Sequence, residues 1–481
     1  MSAHPFSITL AARRYGDAIA LITDERTWSF RELALACDAM RDRVRALAAS
    51  PTQPVALRAS NRVQTVLTLL CLIEEQSPFV LVHPRLTAHE ADLLVRDSHA
   101  SVLLDDSALD ELTKLCKNSA QWTLAPVDPE RPLAILYTSG TSGSPKGATL
   151  SHRAFAASAR ASAERLRWAP QDRWLLCLPL CHIGGLSVLT RCIQAGATVR
   201  LLARFDPQRV LECIAEDHCT LASVVPTMLH TLLSIDTANS LANLRVLLSG
   251  GAHTSDTLRA QCAQRGLALR ATYGLTEVCS QVCTQPARDW STVALGCGPV
   301  LSHVRAEIVD AAQRVCAPDE IGLLRVQGEG VMSGYLHHAP LSASDWLDTG
   351  DFASLSEDGV LTLHARRSDL IVTGGENVYP VEVEQALCAS GAVHDALVVG
   401  VTDAQWGQRV GAMVVLREGT ARGEPLREAI ERTLSARLAR YKWPTRWVFA
   451  SELPLLSSGK SDRAEAARRV AREGVDVQSV D

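Results

Sequence analysis

Hydrophobic and polar positions follow two different periods through the middle of the chain. Short apolar runs rich in Val, Leu and Ile recur, and each is separated from the next by a longer stretch with helical spacing. This alternation predicts βαβ units and parallel sheets. Predicted strands cover residues 55–57, 79–81, 101–104, 133–137, 174–178, 197–202, 222–225, 244–248 and 269–273. Predicted helices cover residues 152–166, 184–194, 206–216, 228–234 and 254–264.

The pattern changes near residue 290, where short strands separated by turn residues become dominant. Strands at residues 304–309, 322–326 and 361–364 indicate a small β-rich unit. Farther along, the periodicity predicts helices at residues 380–389 and 425–438 and strands at 396–401 and 410–416. We therefore expect an N-terminal domain at residues 1–366, with its β-rich part at about 290–366, and a C-terminal domain at residues 367–481.

Composition and charge narrow the classes of protein that the chain can represent. Its 481 residues are 47% hydrophobic and 21% charged, which is typical of a packed globular protein and excludes a disordered chain, a fibre or a coiled coil. A net charge of −5 argues against nucleic-acid binding through overall positive charge. The 14 cysteines include no CxxC pair and are interpreted as free thiols of a reducing compartment. Without a signal peptide or an apolar run of about 18 residues, we expect a cytoplasmic chain that does not insert in a membrane.

A loop of small and hydroxyl-bearing residues, from Tyr137 to Gly147, is the most informative stretch for function. Glycines allow close approach of backbone amides, and the hydroxyl groups and one lysine add further donors, so the loop favours phosphate binding. The Walker A pattern requires Gly-Lys-Ser/Thr, whereas Pro145 precedes Lys146 and Gly147 follows it. P-loop kinases and GTPases are therefore excluded.

Six blocks in a fixed order resemble the adenylate-forming superfamily, which includes acyl- and aryl-CoA ligases and peptide-synthetase adenylation domains. The blocks are residues 137–147, Ser249-Gly250-Gly251-Ala252, Tyr273-Gly274-Leu275-Thr276-Glu277, Thr349-Gly350-Asp351, the hinge region from Arg366 to Pro380, and Pro454 through Gly459-Lys460 to Arg463. The resemblance implies an α/β fold with a large N-terminal domain of αβα-layered sheets, a small β-barrel-like subdomain and a small mobile α+β C-terminal domain. It also implies ATP, Mg2+ and coenzyme A, which serve two half-reactions: formation of an acyl-adenylate, then of a thioester.

The same resemblance implies a role for each motif residue. Lys460, His182, Thr276 and Glu277 would act in catalysis, and Glu277 would also bind Mg2+. The first half-reaction gathers negative charge at phosphorus, which suits a flexible cation such as Lys460 and a hard oxygen ligand such as Glu277. The other residues would hold the nucleotide or line the thiol path: Thr138, Ser139, Gly140, Thr141, Ser142, Lys146, Gly250, Gly251, Ala252, Tyr273, Gly274, Asp351, Arg366, Gly374 and Gly375.

His182 stands where the family has an aromatic residue or a histidine beside the carboxylate and the α-phosphate. Cys181 and Cys177 are close to it in the chain and add two further metal-ligating groups. Three ligands on one short strand-like run do not converge readily, so no metal is expected there.

The hinge departs from the family pattern at two positions. Ser368 stands where the pivot between domain orientations is usually acidic or a lysine, and Ala365 replaces a glycine. Hinge residues are often small, so Ser368 remains compatible with the role of pivot.

The segments around His182 and after Glu277 indicate the acid that is activated. The stretch from Cys181 to Leu189 has no acidic residue, whereas domains that activate α-amino acids have an aspartate there for the substrate ammonium. The compact length and the segments LPLCHIGGLSVLTR and YGLTEVCSQVCT most resemble the o-succinylbenzoate–CoA ligase family of menaquinone biosynthesis. We therefore predict a small aromatic carboxylate as substrate. Arg191 is a candidate for attracting a dicarboxylate, with an ordinary surface arginine as the equal alternative.

Several alternatives stay open at this point. The chain could be another aryl- or medium-chain acyl-CoA ligase that acts on a benzoate-type acid in secondary metabolism, or a stand-alone adenylation enzyme that loads a separate carrier protein. A non-catalytic nucleotide-binding homologue is a further alternative, against which the intact Lys460, Glu277 and Thr276 argue. A homodimer is a candidate assembly.

Overall fold

The computed structural model describes residues 4–48, 50–114, 126–139, 145–252, 254–286, 296–366, 369–373, 376–403, 406–456 and 459–476. Its strands are β1 Ile19–Ile22, β2 Thr27–Ser29, β3 Val55–Arg58, β4 Phe79–Val82, β5 Leu103–Leu104, β6 Pro132–Ser139, β7 Pro145–Ser151, β8 Arg173–Leu176, β9 Thr198–Leu201, β10 Leu221–Val224, β11 Val246–Ser249, β12 Leu269–Leu275, β13 Ser280–Thr284, β14 Arg305–Val309, β15 Gly322–Gln327, β16 Gly334–Tyr335, β17 Leu347–Leu355, β18 Leu361–Arg366, β19 Ile371–Thr373, β20 Glu376–Val378, β21 Val393–Asp403, β22 Gly407–Leu416, β23 Arg446–Phe449 and β24 Val475–Asp476.

The α-helices are α1 Ile8–Tyr15, α2 Phe30–Arg45, α3 Val63–Glu74, α4 Ala88–Asp97, α5 Asp106–Thr113, α6 His152–Leu166, α7 Ile183–Ala195, α8 Pro207–Glu216, α9 Pro226–Ile235, α10 Asp256–Gln264, α11 Pro380–Cys388, α12 Glu424–Arg437 and α13 Arg463–Glu473. Local chemistry sets several of their starts. Ser29 and Glu32 form a capping box at α2, Ser151 caps α6, and proline begins α8 and α9. Within the described ranges, none of these helices combines the length and apolar character that crossing a bilayer requires.

Two sheets with mainly parallel strands build the larger part of the molecule. Their strand orders, over the residues that the structure describes, are β13-β12-β11-β10-β8-β9-β1-β2 and β16-β7-β6-β4-β3-β5. The main apolar core lies between these sheets and contains side chains of α2, α3, α6 and α7. Helices α8, α9 and α10 cover the outer face of the first sheet, and α4 covers that of the second. This layering matches the predicted αβα-layered architecture.

Side chains on the central strands face apolar layers on both sides. On β4, Phe79 and Leu81 point into the main core, while Val80 and Val82 point toward α4. On β8, Trp174 and Leu176 join the main core, while Leu175 faces the outer helices. Strands buried on both faces have continuous apolar sequences, which explains why they were readily predicted.

Two smaller sheets follow along the chain. The first is antiparallel in the order β14-β15-β17-β18 and occupies the predicted β-rich region. The second has the order β20-β19-β22-β23-β24, with β21 also paired to β22. Helices α11 and α12 pack on one face of this second sheet and α13 on the other, so its core is separate from the main one.

The main topological departure from the sequence prediction is β7. The sequence predicts that the helix at residues 152–166 follows the Gly/Ser/Thr loop, but β7 lies between them and pairs antiparallel with β6. The alternation of apolar and polar residues in β7 is short, and Pro145 and Gly147 are residues typical of turns, so the sequence does not predict a strand there. Gly147 lies in close packing, because a Cβ there would lie 2.7 Å from Cδ1 of Leu336, which would have to move.

The lowered pKa values of two buried histidines, His152 and His303, lead to a prediction of how stability depends on pH. Burial, with smaller contributions from neighbouring charges, lowers the pKa of His152 to about 3 and that of His303 to about 4. Both rings are therefore neutral in the folded protein, whereas unfolding lets them bind protons below their ordinary pKa of 6.5. Their contribution to stability is present above pH 6.5 and is lost as the pH falls toward 4.

We expect the free energy of unfolding, measured in urea at constant ionic strength, to fall between pH 7.5 and 5.5, with roughly 1 kcal/mol from each of these two histidines. His152→Gln should lessen the fall by roughly 1 kcal/mol. The exposed His89, changed to Gln, is the matched control and should leave the dependence unchanged. An identical pH dependence in wild type and His152→Gln would contradict the assignment.

Candidate active site

The candidate site lies where the two large sheets meet at the carboxyl ends of their parallel strands. Contacts between side chains of the two sheets define its centre. Oγ1 of Thr138, on β6, lies 3.3 Å from Oε1 of Glu277, which follows β12. The rings of His83, which follows β4, and His182, which precedes α7, have centroids 5.6 Å apart. Loops at the carboxyl ends of strands form the usual ligand crevice of open α/β sheets.

Glu277 is held by three residues from two different segments. Its Oε1 accepts hydrogen bonds from Tyr335 Oη at 2.7 Å and from Thr138 Oγ1, and its carbonyl accepts one from the backbone N–H of Met332 at 2.8 Å. Lys146, which pairs with Thr138 across β6 and β7, places Nζ 5.5 Å from the centroid of the Tyr335 ring. A carboxylate, a hydroxyl and an ammonium group are thus brought together at the base of the glycine-rich loop.

Tyr273 and Asp351 form a second, more deeply buried pair. The Tyr273 hydroxyl donates to Oδ2 of Asp351 at 2.5 Å, and both residues are buried. Burial and the Asp351 carboxylate raise the pKa of Tyr273 well above its usual value, so the phenol stays protonated and remains a donor. Asp351 lies on β17 opposite Arg366 of β18, which places the backbones of these two predicted ribose-binding residues side by side.

A tight chain reversal between β12 and β13 orients these groups. A Cβ on Gly274 would lie 1.8 Å from the carbonyl oxygen of Ser280, so only glycine fits. Cys279 and Ser280 adopt φ of 51° and 97°, and the Cys279 carbonyl accepts a hydrogen bond from Ser158 Oγ at 2.6 Å. Thr276 and Glu277 lie on the short 3-10 turn inside this reversal.

Lys460 enters the site from the tip of a short hairpin. The backbone N–H of Leu456 donates to the Lys460 carbonyl at 2.7 Å. Thr227 Oγ1 donates to the Gly459 carbonyl at 3.1 Å, which fastens the hairpin to the start of α9. A Cβ on Gly251, where φ is +81°, would lie 3.6 Å from Cε of Lys460. The lysine therefore lies beside the glycine turn after β11.

A buried asparagine, Asn61, holds the loop before α7 by hydrogen bonds to its backbone. Asn61 Oδ1 accepts from the Leu180 backbone N–H at 2.9 Å, and its Nδ2 donates to the Leu178 carbonyl at 3.0 Å. A Cβ on Gly185 would lie 2.3 Å from the Pro179 carbonyl oxygen, so α7 begins tightly against this loop. These contacts set the position of His182.

The His182 ring is exposed in the cleft, yet protein atoms crowd around it. This desolvation, followed by the charges of His83 and Lys460, lowers the pKa of His182 to about 4. The imidazole is therefore neutral at physiological pH and can donate or accept a hydrogen bond without adding charge.

Arg191, on α7, is buried rather than on the surface, and its side chain is 2% exposed. Among the described residues, its Nε and Nη2 find no hydrogen-bond acceptor, and its guanidinium lies 5.7 Å from the Trp174 ring centroid. Burial lowers the pKa of Arg191 to about 10. The alternative of an ordinary surface arginine is therefore wrong.

Most predicted site residues that fall in the described ranges converge on this cleft. Gly250 and Ala252 flank Gly251, and Gly250 is required because a Cβ there would lie 2.6 Å from Thr272 Cγ2. The other predicted positions lie outside the described part of the chain: Gly140, Thr141, Ser142, Ser368, Gly374, Gly375 and the side chains of Ser139 and Arg366.

Sequence reasoning missed three residues of the site: Asn61, His83 and Tyr335. Each comes from a segment distant in sequence from the partner that it contacts, and no motif around it predicts the contact. The apolar strands before Asn61 and His83 were the only available signal, because residues at strand ends of a parallel sheet tend to line a crevice.

Family profiles match most of the chain. The AMP-binding enzyme profile covers residues 8–336, and the profile of the AMP-binding enzyme C-terminal domain covers residues 382–460. The chain is 33% identical over 466 residues to a 2-succinylbenzoate–CoA ligase of Bacillus pumilus. The aligned region covers 93% of this chain and 94% of the relative.

Solved structures of a Bacillus subtilis o-succinylbenzoate–CoA synthetase share the fold. The complex with the acyl-adenylate OSB-AMP has a TM-score of 0.84 at 32% identity and covers 95% of this chain and 97% of the other. The complex with ATP and magnesium has a TM-score of 0.82 at 31% identity. This match covers 95% of this chain and 98% of the other. The predicted fold class and superfamily are confirmed, and the chain belongs to the AMP-binding enzyme family.

Proposed function

We propose that this protein is an ATP-dependent acid–CoA ligase whose substrate is 2-succinylbenzoate, in menaquinone biosynthesis. The carboxylate of the acid attacks the α-phosphorus of ATP, and the bond to pyrophosphate breaks, giving an acyl-adenylate. The thiol of coenzyme A then displaces AMP and yields the thioester. The similarity to 2-succinylbenzoate–CoA ligases along nearly the whole chain supports this substrate, and the placement of Lys460 in the cleft supports the first step.

Charge stabilisation in the first half-reaction falls to groups on both sides of the cleft. Lys460 meets the negative charge that develops around phosphorus, and Thr276 donates to the α-phosphate. Neutral His182 orients the attacking carboxylate by a hydrogen bond, since it adds no competing positive charge at pH 7. Lys146 and the hydroxyl-rich loop hold the outer phosphates.

Glu277 fits the requirements of Mg2+. Its carboxylate supplies hard oxygen ligands, and both of its side-chain hydrogen bonds engage Oε1 rather than Oε2. When bound, Mg2+ supplies neutralising charge at the phosphate oxygens. Tyr335 and Thr138 keep the carboxylate in one orientation, which is the usual role of groups that surround a metal ligand.

The AMP portion of the substrate fits the buried side of the cleft. Asp351 accepts hydrogen bonds from the ribose hydroxyls, with Arg366 on the neighbouring strand, and Tyr273 and the turn Gly250-Gly251-Ala252 receive adenine. The Tyr273–Asp351 hydrogen bond holds the carboxylate in place before the nucleotide arrives.

We assign residues 1–366 to the body and residues 367–481 to a domain that rotates between the half-reactions, with Ser368 at the pivot and Gly374 and Gly375 beside the thiol path. The hydrogen bond from Thr227 to Gly459 and the position of Lys460 beside Gly251 correspond to the orientation needed for adenylate formation. Thioester formation then requires that these contacts break.

Arg191 supports an acid with a second carboxylate. A buried cation without a hydrogen-bonded anion destabilises the protein, and an anionic substrate group that reaches it offsets that cost. It belongs to the helix that His182 precedes, so one helix serves both the reacting carboxylate and the distal one.

A panel of acids tests the substrate. With ATP, Mg2+ and coenzyme A, we expect pyrophosphate release and thioester formation with 2-succinylbenzoate and much slower turnover of benzoate and medium-chain fatty acids. Lys460→Ala, which removes preorganised charge, should lose adenylate formation by at least about a hundredfold. Faster turnover of a benzoate than of 2-succinylbenzoate would favour the alternative aryl-CoA ligase and contradict our assignment.

Arg191→Met tests the role of the buried arginine. We expect kcat/KM for 2-succinylbenzoate to fall by about a hundredfold, since a lost buried charge pair costs about 3 kcal/mol, whereas slow turnover of benzoate changes little. Arg200 is a matched control, because it is equally buried but paired with Asp24 and Asp217. Arg200→Met should lower the melting temperature without altering the ratio between the two acids. An equal loss for both acids in Arg191→Met would remove Arg191 from substrate recognition.

Tyr335→Phe tests the support of Glu277. The change keeps the ring beside Lys146 and removes the hydrogen bond to Oε1, so the concentration of Mg2+ needed for half-maximal rate should rise about tenfold. Tyr137→Phe removes a comparable tyrosine hydroxyl that bonds Asp97 instead, and should leave the Mg2+ dependence unchanged. Equal Mg2+ dependence in both variants would show that Tyr335 does not position the metal ligand.

A further inference from the structure

Three side chains that suit a transition metal meet inside the cleft. His83 follows β4 of one sheet, while Cys181 and His182 lie in the loop between β8 and α7 of the other sheet. One ligand atom from each of the three lies within 4.8 Å of those of the other two. Cys177 takes no part, since its Sγ donates to the Ser223 carbonyl at 3.6 Å.

His83 removes the geometric objection to a metal at this loop. Cys177, Cys181 and His182 alone belong to one short run and cannot surround an ion, but His83 approaches from a separate sheet. The anchoring of the loop by Asn61 fixes the spacing between the two sides. Cys181 and His182 are adjacent in the chain, and His83 comes from the other sheet. The three side chains therefore form a preformed cluster.

The donor set selects one class of ion. Two imidazole nitrogens and a thiolate sulfur suit borderline-soft divalent cations such as Zn2+, and three protein ligands leave a fourth position open. Mg2+ prefers oxygen ligands and is the ion expected at Glu277, so the two sites do not compete for the same metal.

We propose that His83, Cys181 and His182 form a binding site for a divalent cation of the zinc class, and that occupation of this site blocks activation of the acid. Binding at Sγ releases one proton from the Cys181 thiol to solvent. His83 Nδ1 accepts a hydrogen bond from the Arg85 backbone N–H at 3.1 Å. Binding through Nε2 needs the ring proton at Nδ1, so the ring stays neutral overall but the hydrogen bond from Arg85 is broken, and the metal–nitrogen bond must offset that loss.

Inhibition follows from two effects on groups of the first half-reaction. A bound cation occupies a nitrogen of His182 and so removes it from the substrate carboxylate. It also adds positive charge near the Lys460 ammonium, which lies close enough to influence the His182 ring. This part rests on the proposed function, whereas the binding of the ion does not.

Metal binding is tested first, on the full-length protein stripped of metal by a chelator. Equilibrium dialysis measures Zn2+ affinity, and Co2+ substitution reports sulfur ligation through thiolate-to-metal charge-transfer absorption. Loss of a ligand in Cys181→Ser or His83→Asn should weaken Zn2+ binding at least about tenfold. Cys177→Ser and His89→Asn are matched controls that should bind as wild type does. His83 is only partly buried, so its variant keeps the test decisive if Cys181→Ser does not fold.

Inhibition is measured second, as pyrophosphate release at saturating Mg2+, with each variant compared with its own zinc-free rate. Zn2+ should inhibit wild type and the two controls, and His83→Asn should need at least about tenfold more Zn2+ for the same inhibition. Equal Zn2+ affinity in His83→Asn, Cys181→Ser and the controls would overturn the site. Normal binding in a protein that activates no acid would instead refute the proposed function and leave the metal site standing.

Discussion

The reversal at Gly274 is the constraint on which the rest of the cleft depends. β12 is the last parallel strand of its sheet, and its chain must turn back as β13 within a few residues. Because Gly274 contacts the Ser280 carbonyl directly, the turn cannot widen to accept a side chain. That narrow turn sends Tyr273 toward Asp351 in the antiparallel sheet and Glu277 toward Thr138 in the other large sheet. Five consecutive residues, from Tyr273 to Glu277, therefore link three sheets.

Local sequence determined much of the fold because its signals are short in range. Runs such as Phe79–Val82, buried on both faces, and capped helices such as α6 can be recognised without knowing their neighbours. β7 could not, since a strand that begins with Pro145 and contains Gly147 is defined by pairing with β6 and β16 rather than by its own residues. The same limit applied to the site: Glu277 stands in a motif, but Tyr335, its hydrogen-bond partner, lies 58 positions away and nothing around it predicts the contact.

Among the residues that the structure describes, the two most buried arginines differ in how their charge is compensated. Arg200 donates to Asp24 and Asp217, so its charge is compensated and it holds β9 to the β1–β2 turn and to the end of α8. Arg191 has comparable burial, but the described residues give its Nε and Nη2 no acceptor. A buried charge without a compensating partner lowers the stability of the native state by several kcal/mol. Buried groups with a strongly shifted pKa are more frequent at functional sites than elsewhere in proteins.

The hydrogen bond between Thr227 and Gly459 has a consequence for the resting state of the molecule. It joins the start of α9 to the hairpin that presents Lys460, so in the domain rotation proposed above it would stabilise only one of the two orientations. A single neutral hydrogen bond contributes about 1 kcal/mol, which corresponds to about a fivefold shift between two conformers. A contact that weak biases an equilibrium without locking it. Under the proposed rotation, this threonine hydroxyl would therefore contribute to the fraction of molecules in the adenylate-forming orientation, and a substitution at Thr227 would shift that fraction without altering the reacting groups.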